Sequence, residues 1–131
     1  RSPVYETLPV GVPERFQTMK FLNAVLILEW PKEPEELLEV CQVLEREAGR
    51  IRTAERNAPR PLDLDIVYLD GLVLSGERLT LPHPRWAERR FVVEPLADVR
   101  PDLVLPGQRR TVREILASLP VGGVVRTGDR L

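Results

Sequence analysis

The chain has 131 residues, 43% hydrophobic and 30% charged, with one cysteine and a formal net charge of −1. That length suits a single core burying about two-thirds of the surface the unfolded chain would expose. The composition argues against disorder, the lone Cys41 excludes an internal disulfide framework, and no apolar run approaches the ~20 residues of a membrane span.

Nothing at the start has the basic and apolar regions of a signal peptide, so the expected setting is soluble and cytoplasmic. Seventeen of the nineteen basic residues are arginine, whose planar fork of donors matches carboxylates and phosphates better than a lysine point charge does. An Arg-rich composition can also be a habit of the organism, so the placement of these residues decides what they mean.

Val4-Tyr5-Glu6-Thr7 reads as a strand. Residues 7–20, with Pro9, Gly11 and Pro13, read as a long loop of the kind that forms lids and binding loops. Residues 21–30 are almost continuously apolar and predict a central strand buried on both faces. A helix follows: Pro34 suits its first turn, Glu35 and Glu36 complement the dipole there, and Gly49 suits the far end. Leu37, Cys41, Leu44 and Ala48 recur at helical spacing as its apolar stripe, where Cys41 reads as a buried, inert thiol.

Residues 62–69 alternate and then become wholly apolar, predicting a strand, and Asp70-Gly71 with Leu72-Val73-Leu74 predicts a hairpin. Leu81-Pro82-His83-Pro84 is too rich in proline for regular structure. Residues 85–98 carry a mixed helical pattern, and residues 101–107 read as a loop or short strand. Thr111-Val112-Arg113-Glu114 is a capping box opening a last helix through Leu119. The Gly122-Gly123 tail carries no signal. With no repeat or linker, the chain predicts one domain, an α+β or α/β sandwich on a mixed sheet with helices packed on it.

Charge is segregated along the middle of the chain. Residues 29–47 hold seven acids against two bases, whereas residues 50–60 hold Arg50, Arg52, Arg56 and Arg60 against Glu55 alone. Asp63 and Asp65 follow directly. Two apart in a strand, they leave the same face roughly 6.6 Å apart at the backbone, close enough to converge on one ion or bridge two. A pair so placed either binds metal or forms a solvated strand face, and the arginine cluster upstream favours metal beside phosphate.

His83, the one histidine, stands in a stiff loop before Arg85, Arg89 and Arg90; it is either a structural residue or a phosphate contact. There is no nucleophile elbow, Ser/His/Asp set, zinc spacing or Walker A loop, so phosphate binding would fall to arginine and metal. The same cluster also fits a small nucleic-acid-binding module, although the near-neutral charge and the 5% aromatic content leave that reading little electrostatic footprint and few stacking platforms.

Arg56-Asn57-Ala58-Pro59-Arg60-Pro61-Leu62-Asp63-Leu64-Asp65-Ile66 resembles the signature of the 6-hydroxymethyl-7,8-dihydropterin pyrophosphokinase family of folate biosynthesis. In the same order as in that family come Tyr5-x-Thr7-x-Pro9-x-Gly11, Phe21-Leu22-Asn23-Ala24, Leu44-Glu45-x-x-x-Gly49-Arg50, Leu79-Thr80-x-Pro82-His83 and Arg89-x-Phe91. The resemblance covers most of residues 2–119.

It implies a ferredoxin-like α+β sandwich on a mainly antiparallel sheet. It also implies transfer of the pyrophosphoryl group of ATP to the hydroxymethyl of the dihydropterin, releasing AMP. Asp63 and Asp65 would bind two Mg²⁺ ions. Arg50, Arg52, Arg60 and Arg89 would neutralise phosphate, and Gln42, Glu45, Ile66, Thr80 and His83 would line the ATP site with Arg56 approaching from its loop. Asn23 would hydrogen-bond the pterin between Phe21 and Phe91, with Thr7, Val10 and Asn57 contributing. Small-molecule substrates, no nucleic acid or membrane, and a monomer are the partners it implies.

The chain departs from the family pattern in places. A strand and helix that open family members are not seen before Arg1, so the domain is expected to be N-terminally incomplete. Asn57 stands where an aromatic is frequent, Thr53 stands where a lysine can help bind phosphate, and the loop from Gly11 to Phe21 is longer by a few residues.

Overall fold

The computed structural model describes residues 1–7, 21–49 and 62–130. Within them the protein is α+β, with three α-helices and antiparallel ladders. Val10, Arg50, Arg52, Arg56, Asn57 and Arg60 lie outside the described residues, as does the rest of the arginine-rich connection.

Strand β1 (Pro3–Thr7) is the middle of a three-stranded sheet, between β2 (Phe21–Asn23) and β5 (Val124–Arg130). Tyr5 lies opposite Asn23 on one side and Arg126 on the other. This corrects two expectations. Among the described residues the apolar run at 21–30 is not a central strand: only its first three residues pair there, at an edge, and Leu26 and Leu28 are 54% and 52% exposed. Apolar side chains favour a strand, but a ladder also needs a neighbouring backbone to take its N–H and C=O groups. Here β1 offers one only as far as Tyr5, after which Ser2 carries the contact on, its N–H donating to Val25 O at 2.9 Å and its Oγ accepting from Val25 N at 2.7 Å. The glycine-led tail, in turn, holds β5. Val124 and Val125 followed by Thr127 are β-formers, and they pair along the free side of β1.

Helix α1 (Pro34–Glu47) forms as the sequence predicts, with Pro34 in its first turn and Gly49 just beyond it at φ +92°, a left-handed conformation that glycine reaches without a Cβ penalty. Its stripe is less buried than helical spacing suggests. Leu37 and Cys41 are half-buried, Leu44 is 45% exposed, and the one fully buried α1 residue is Glu45.

Residues 62–69 run with the expected alternation, Leu62 and Leu64 half-buried and Asp63 and Asp65 exposed, but join no ladder among the described residues. The Asp70-Gly71 turn closes with Leu72 N–H donating to Leu69 O at 2.9 Å. The paired hairpin lies one element further on, between β3 (Leu74–Ser75) and β4 (Thr80–Leu81).

The core is built by the second half of the chain. A 3-10 turn (Trp86–Glu88) leads into α2 (Arg90–Val99), which packs on α3 (Val112–Ser118) and across β1 and β2. Trp86, Val93, Leu96, Leu105, Val112 and Ile115 form one buried cluster, flanked by Val25, Val67 and Tyr68. The capping box at Thr111 is complete: its Oγ1 accepts from Glu114 N at 3.2 Å, and its N–H donates to Glu114 Oε1 at 3.0 Å. Leu119 is the C-cap rather than the last helical residue. No helix among the described residues is long and apolar enough to cross a membrane.

Candidate active site

Alternation along residues 62–65 is what builds the site. Leu62 and Leu64 turn inward, so the two aspartates between and after them are carried outward on one face. Helix α1 fixes the backbone beneath them. The buried Glu45, 6% exposed, accepts the Leu64 N–H on Oε2 at 2.9 Å. A carboxylate holding a main-chain donor is stronger than a neutral pair, and this one grips the residue between Asp63 and Asp65.

A cleft of about 360 Å³ opens where α1, this segment and the loop after β4 meet, lined by Gln42, Glu45, Asp63, Asp65, His83 and Arg89 together with Leu38, Cys41 and Leu64. A second cavity of about 280 Å³ adjoins it, sharing Leu38, Leu64, Asp65 and His83 and adding Ile66, Thr80 and the Glu77–Leu79 turn. Six of the residues that sequence reasoning selected are thus gathered at the first cavity and two more at the second. Leu38 and Cys41 were missed as lining residues; stepping one turn back from Gln42 and Glu45 along the helix would have found them.

Electrostatics bind the cleft into one unit. His83 is held below its ordinary value by burial first, with Arg89 and Arg85 adding to that and Asp65 opposing it, so the imidazole is neutral at pH 7. The ring Nδ1 accepts the Arg85 backbone N–H at 3.2 Å, and the His83 main-chain N–H donates to Val67 O at 2.8 Å. With Nδ1 an acceptor, the proton of the neutral ring belongs on Nε2, which is thereby a donor. The Cys41 thiol is pushed up by burial, then by Glu45 and Asp65, and the residue is half-buried rather than buried as expected.

The residues expected around the second substrate form a separate group. Asn23 Nδ2 donates to Thr7 Oγ1 at 2.7 Å, and Phe21 pairs with Thr7 across β2 and β1. The Arg89 guanidinium stands 5.6 Å from the centre of the Phe91 ring, so Arg89 touches both groups. Thr7, Phe21, Asn23 and Phe91 line neither of the two cavities.

Among the described residues no set of three His, Cys, Asp or Glu side chains is placed to hold a metal unaided. Two carboxylates do match Mg²⁺, which takes one or two protein oxygens and completes its shell with phosphate and water.

A profile of the 7,8-dihydro-6-hydroxymethylpterin-pyrophosphokinase family matches residues 1–101. The chain is 43% identical, over 96% of its length, to the 2-amino-4-hydroxy-6-hydroxymethyldihydropteridine pyrophosphokinase of Methylorubrum extorquens, spanning 76% of that protein. It is 40% identical over 95% of its length to the protein of the same name from Pseudomonas aeruginosa, spanning 74% of it. Against the folic acid synthesis protein fol1 of Schizosaccharomyces pombe it is 42% identical over 94% of its length, while spanning only 16% of that much longer protein. The chain therefore belongs to the 7,8-dihydro-6-hydroxymethylpterin-pyrophosphokinase family.

Proposed function

We propose that this enzyme transfers the pyrophosphoryl group of ATP to the hydroxymethyl oxygen of 6-hydroxymethyl-7,8-dihydropterin, giving the pterin diphosphate and AMP, a step of folate biosynthesis. The observation that carries the reading is the pair of outward aspartates on the wall of a cleft shared with neutral His83 and cationic Arg89, in a chain of this family.

Asp63 and Asp65 are the residues to hold two Mg²⁺ ions, which when bound neutralise the polyphosphate and acidify the attacking hydroxyl. Pyrophosphoryl transfer asks for little covalent work from a protein, so positioning and charge neutralisation dominate. Arg89 takes phosphate charge, with Arg50, Arg52 and Arg60 assigned the same task and Arg56 an approach to the nucleotide from its loop, all four outside the described residues. His83 donates from Nε2 to a phosphate oxygen without adding charge. Gln42, Ile66 and Thr80 line the nucleotide site, and Glu45 acts chiefly through the Leu64 backbone. Asn23 reads the pterin edge, with Phe21 and Phe91 as apolar walls and Thr7, Val10 and Asn57 beside it.

The same reading gives one ferredoxin-like domain over residues 1–131 that works as a cytoplasmic monomer without nucleic acid. The test is product analysis by ³¹P NMR after mixing protein, Mg-ATP and the hydroxymethyl-dihydropterin. AMP and a pterin diphosphate are expected in equal amounts, whereas ADP as the nucleotide product overturns the assignment.

A further inference from the structure

Tyr5 lies in the middle strand with its ring buried, 2% exposed. Its hydroxyl donates to Asp98 Oδ2 in the last turn of α2 and accepts from Arg126 Nη2 at 3.1 Å. Arg126 Nη2 also donates to Asp98 Oδ1 at 2.8 Å, and its guanidinium stands 5.7 Å from the centre of the Tyr5 ring. Strands β1 and β5 and helix α2 are thereby closed into one three-membered network.

Register gives that network a direction. Tyr5 is opposite Asn23 and Arg126, and directly paired residues project to one face of a sheet, as does Thr7 two positions on. On α2, Asp98 follows Phe91 by seven residues, two turns along the same helix face. A tether at Asp98 consequently sets the roll and height of the face that carries Phe91, above the strands that hold the Thr7–Asn23 pair.

We propose that Tyr5, Asp98 and Arg126 are positioning residues for the pterin subsite, fixing the gap between Phe91 and the hydrogen-bonded Thr7–Asn23 pair. The proposal rests on the reading of that subsite given above. The network also suits a fixed role. Burial and the Asp98 carboxylate hold the Tyr5 phenol above its ordinary value, so its donor proton is held more firmly than that of a free phenol.

The experiment is steady-state kinetics of Tyr5→Phe, Asp98→Asn, Arg126→Gln and Arg126→Lys, with thermal midpoints taken alongside and Val112→Ala as a control that loosens the core elsewhere. Tyr5→Phe and Asp98→Asn are expected to raise KM for the pterin about tenfold, the scale of a sub-ångström misplacement, with KM for ATP unchanged. Arg126→Lys, which keeps the charge, should restore much of the pterin affinity lost in Arg126→Gln. Val112→Ala should lower the midpoint and leave both KM values alone.

A pterin KM that stays put, or that moves together with the ATP KM and the midpoint, overturns the proposal. Should Tyr5→Phe fail to fold, Asp98→Asn reads the same network from its more exposed end. Wild-type protein that makes no AMP overturns the subsite reading and this proposal together, whereas active wild type with indifferent variants overturns the proposal alone.

Discussion

The Glu45 carboxylate accepts the backbone N–H of Leu64 at 2.9 Å, tying helix α1 to the residue between the two aspartates. A charged acceptor buried at 6% exposure that holds a main-chain donor contributes about 2 kcal/mol. Glu45→Ala should therefore lower stability by about that amount in urea unfolding and lower kcat as well, because the Asp63–Asp65 backbone loses its anchor. Glu45→Gln keeps the acceptor and should recover most of both. Loss of stability with full retention of kcat would leave Glu45 with no part in placing the aspartates.

Asp63 and Asp65 are exposed. Substituting either by asparagine should leave the thermal midpoint within a few degrees of wild type, since surface changes cost about 0.5 kcal/mol or less. Turnover should fall by about a hundredfold or more, the equivalent of the several kcal/mol that metal ions contribute to charge stabilisation. Raising the Mg²⁺ concentration should recover part of the rate in the single variants and none in the double.

His83 ties stability to pH with a definite sign. Its folded pKa lies below the unfolded value through burial and the nearby Arg89 and Arg85, so its contribution is fully present above the unfolded value of about 6.5 and is lost as pH falls through that value toward the folded one. Thermal midpoints measured between about pH 5 and pH 8 should drop on the acid side by more in wild type than in His83→Gln. Because the imidazole is assigned as an Nε2 donor to phosphate, His83→Phe should also raise KM for ATP by about tenfold, one lost hydrogen bond to a charged group.

The capping box at the start of α3 offers a test remote from the cleft. Thr111→Ala removes the acceptor of Glu114 N and should cost about 1 kcal/mol with no change in either KM. Glu114 is held below its ordinary value by the Thr111 N–H and hydroxyl. The stabilisation it gains is present above the ordinary carboxylate value and disappears as pH falls below it, so the Thr111→Ala deficit should shrink in acid.

The site was more legible in the sequence than the sheet was. Alternation at 62–65 is a local property and sets Asp63 and Asp65 on one face, whereas Gln42 and Glu45 came from the family resemblance and not from the spacing in α1; all four line one cleft. Strand identity at 21–30 depended on a partner backbone, which no local pattern reports, and so an expected central strand became a three-residue edge. Strand β5 was missed because Gly122-Gly123 breaks periodicity just ahead of a β-branched run. The Tyr5–Asp98–Arg126 network joins residues 93 and 121 positions apart, and only the fold brings them together.

On the proposed function, Asp63 and Asp65 hold the metal that carries the ATP phosphates. A crystal structure with Mg²⁺, a non-hydrolysable ATP analogue and the hydroxymethyl-dihydropterin tests it most directly. Metal density within about 2.1 Å of a carboxylate oxygen of each aspartate, with the β- and γ-phosphates beside Arg89, is the predicted result. Nucleotide bound with its metal away from both carboxylates would contradict it.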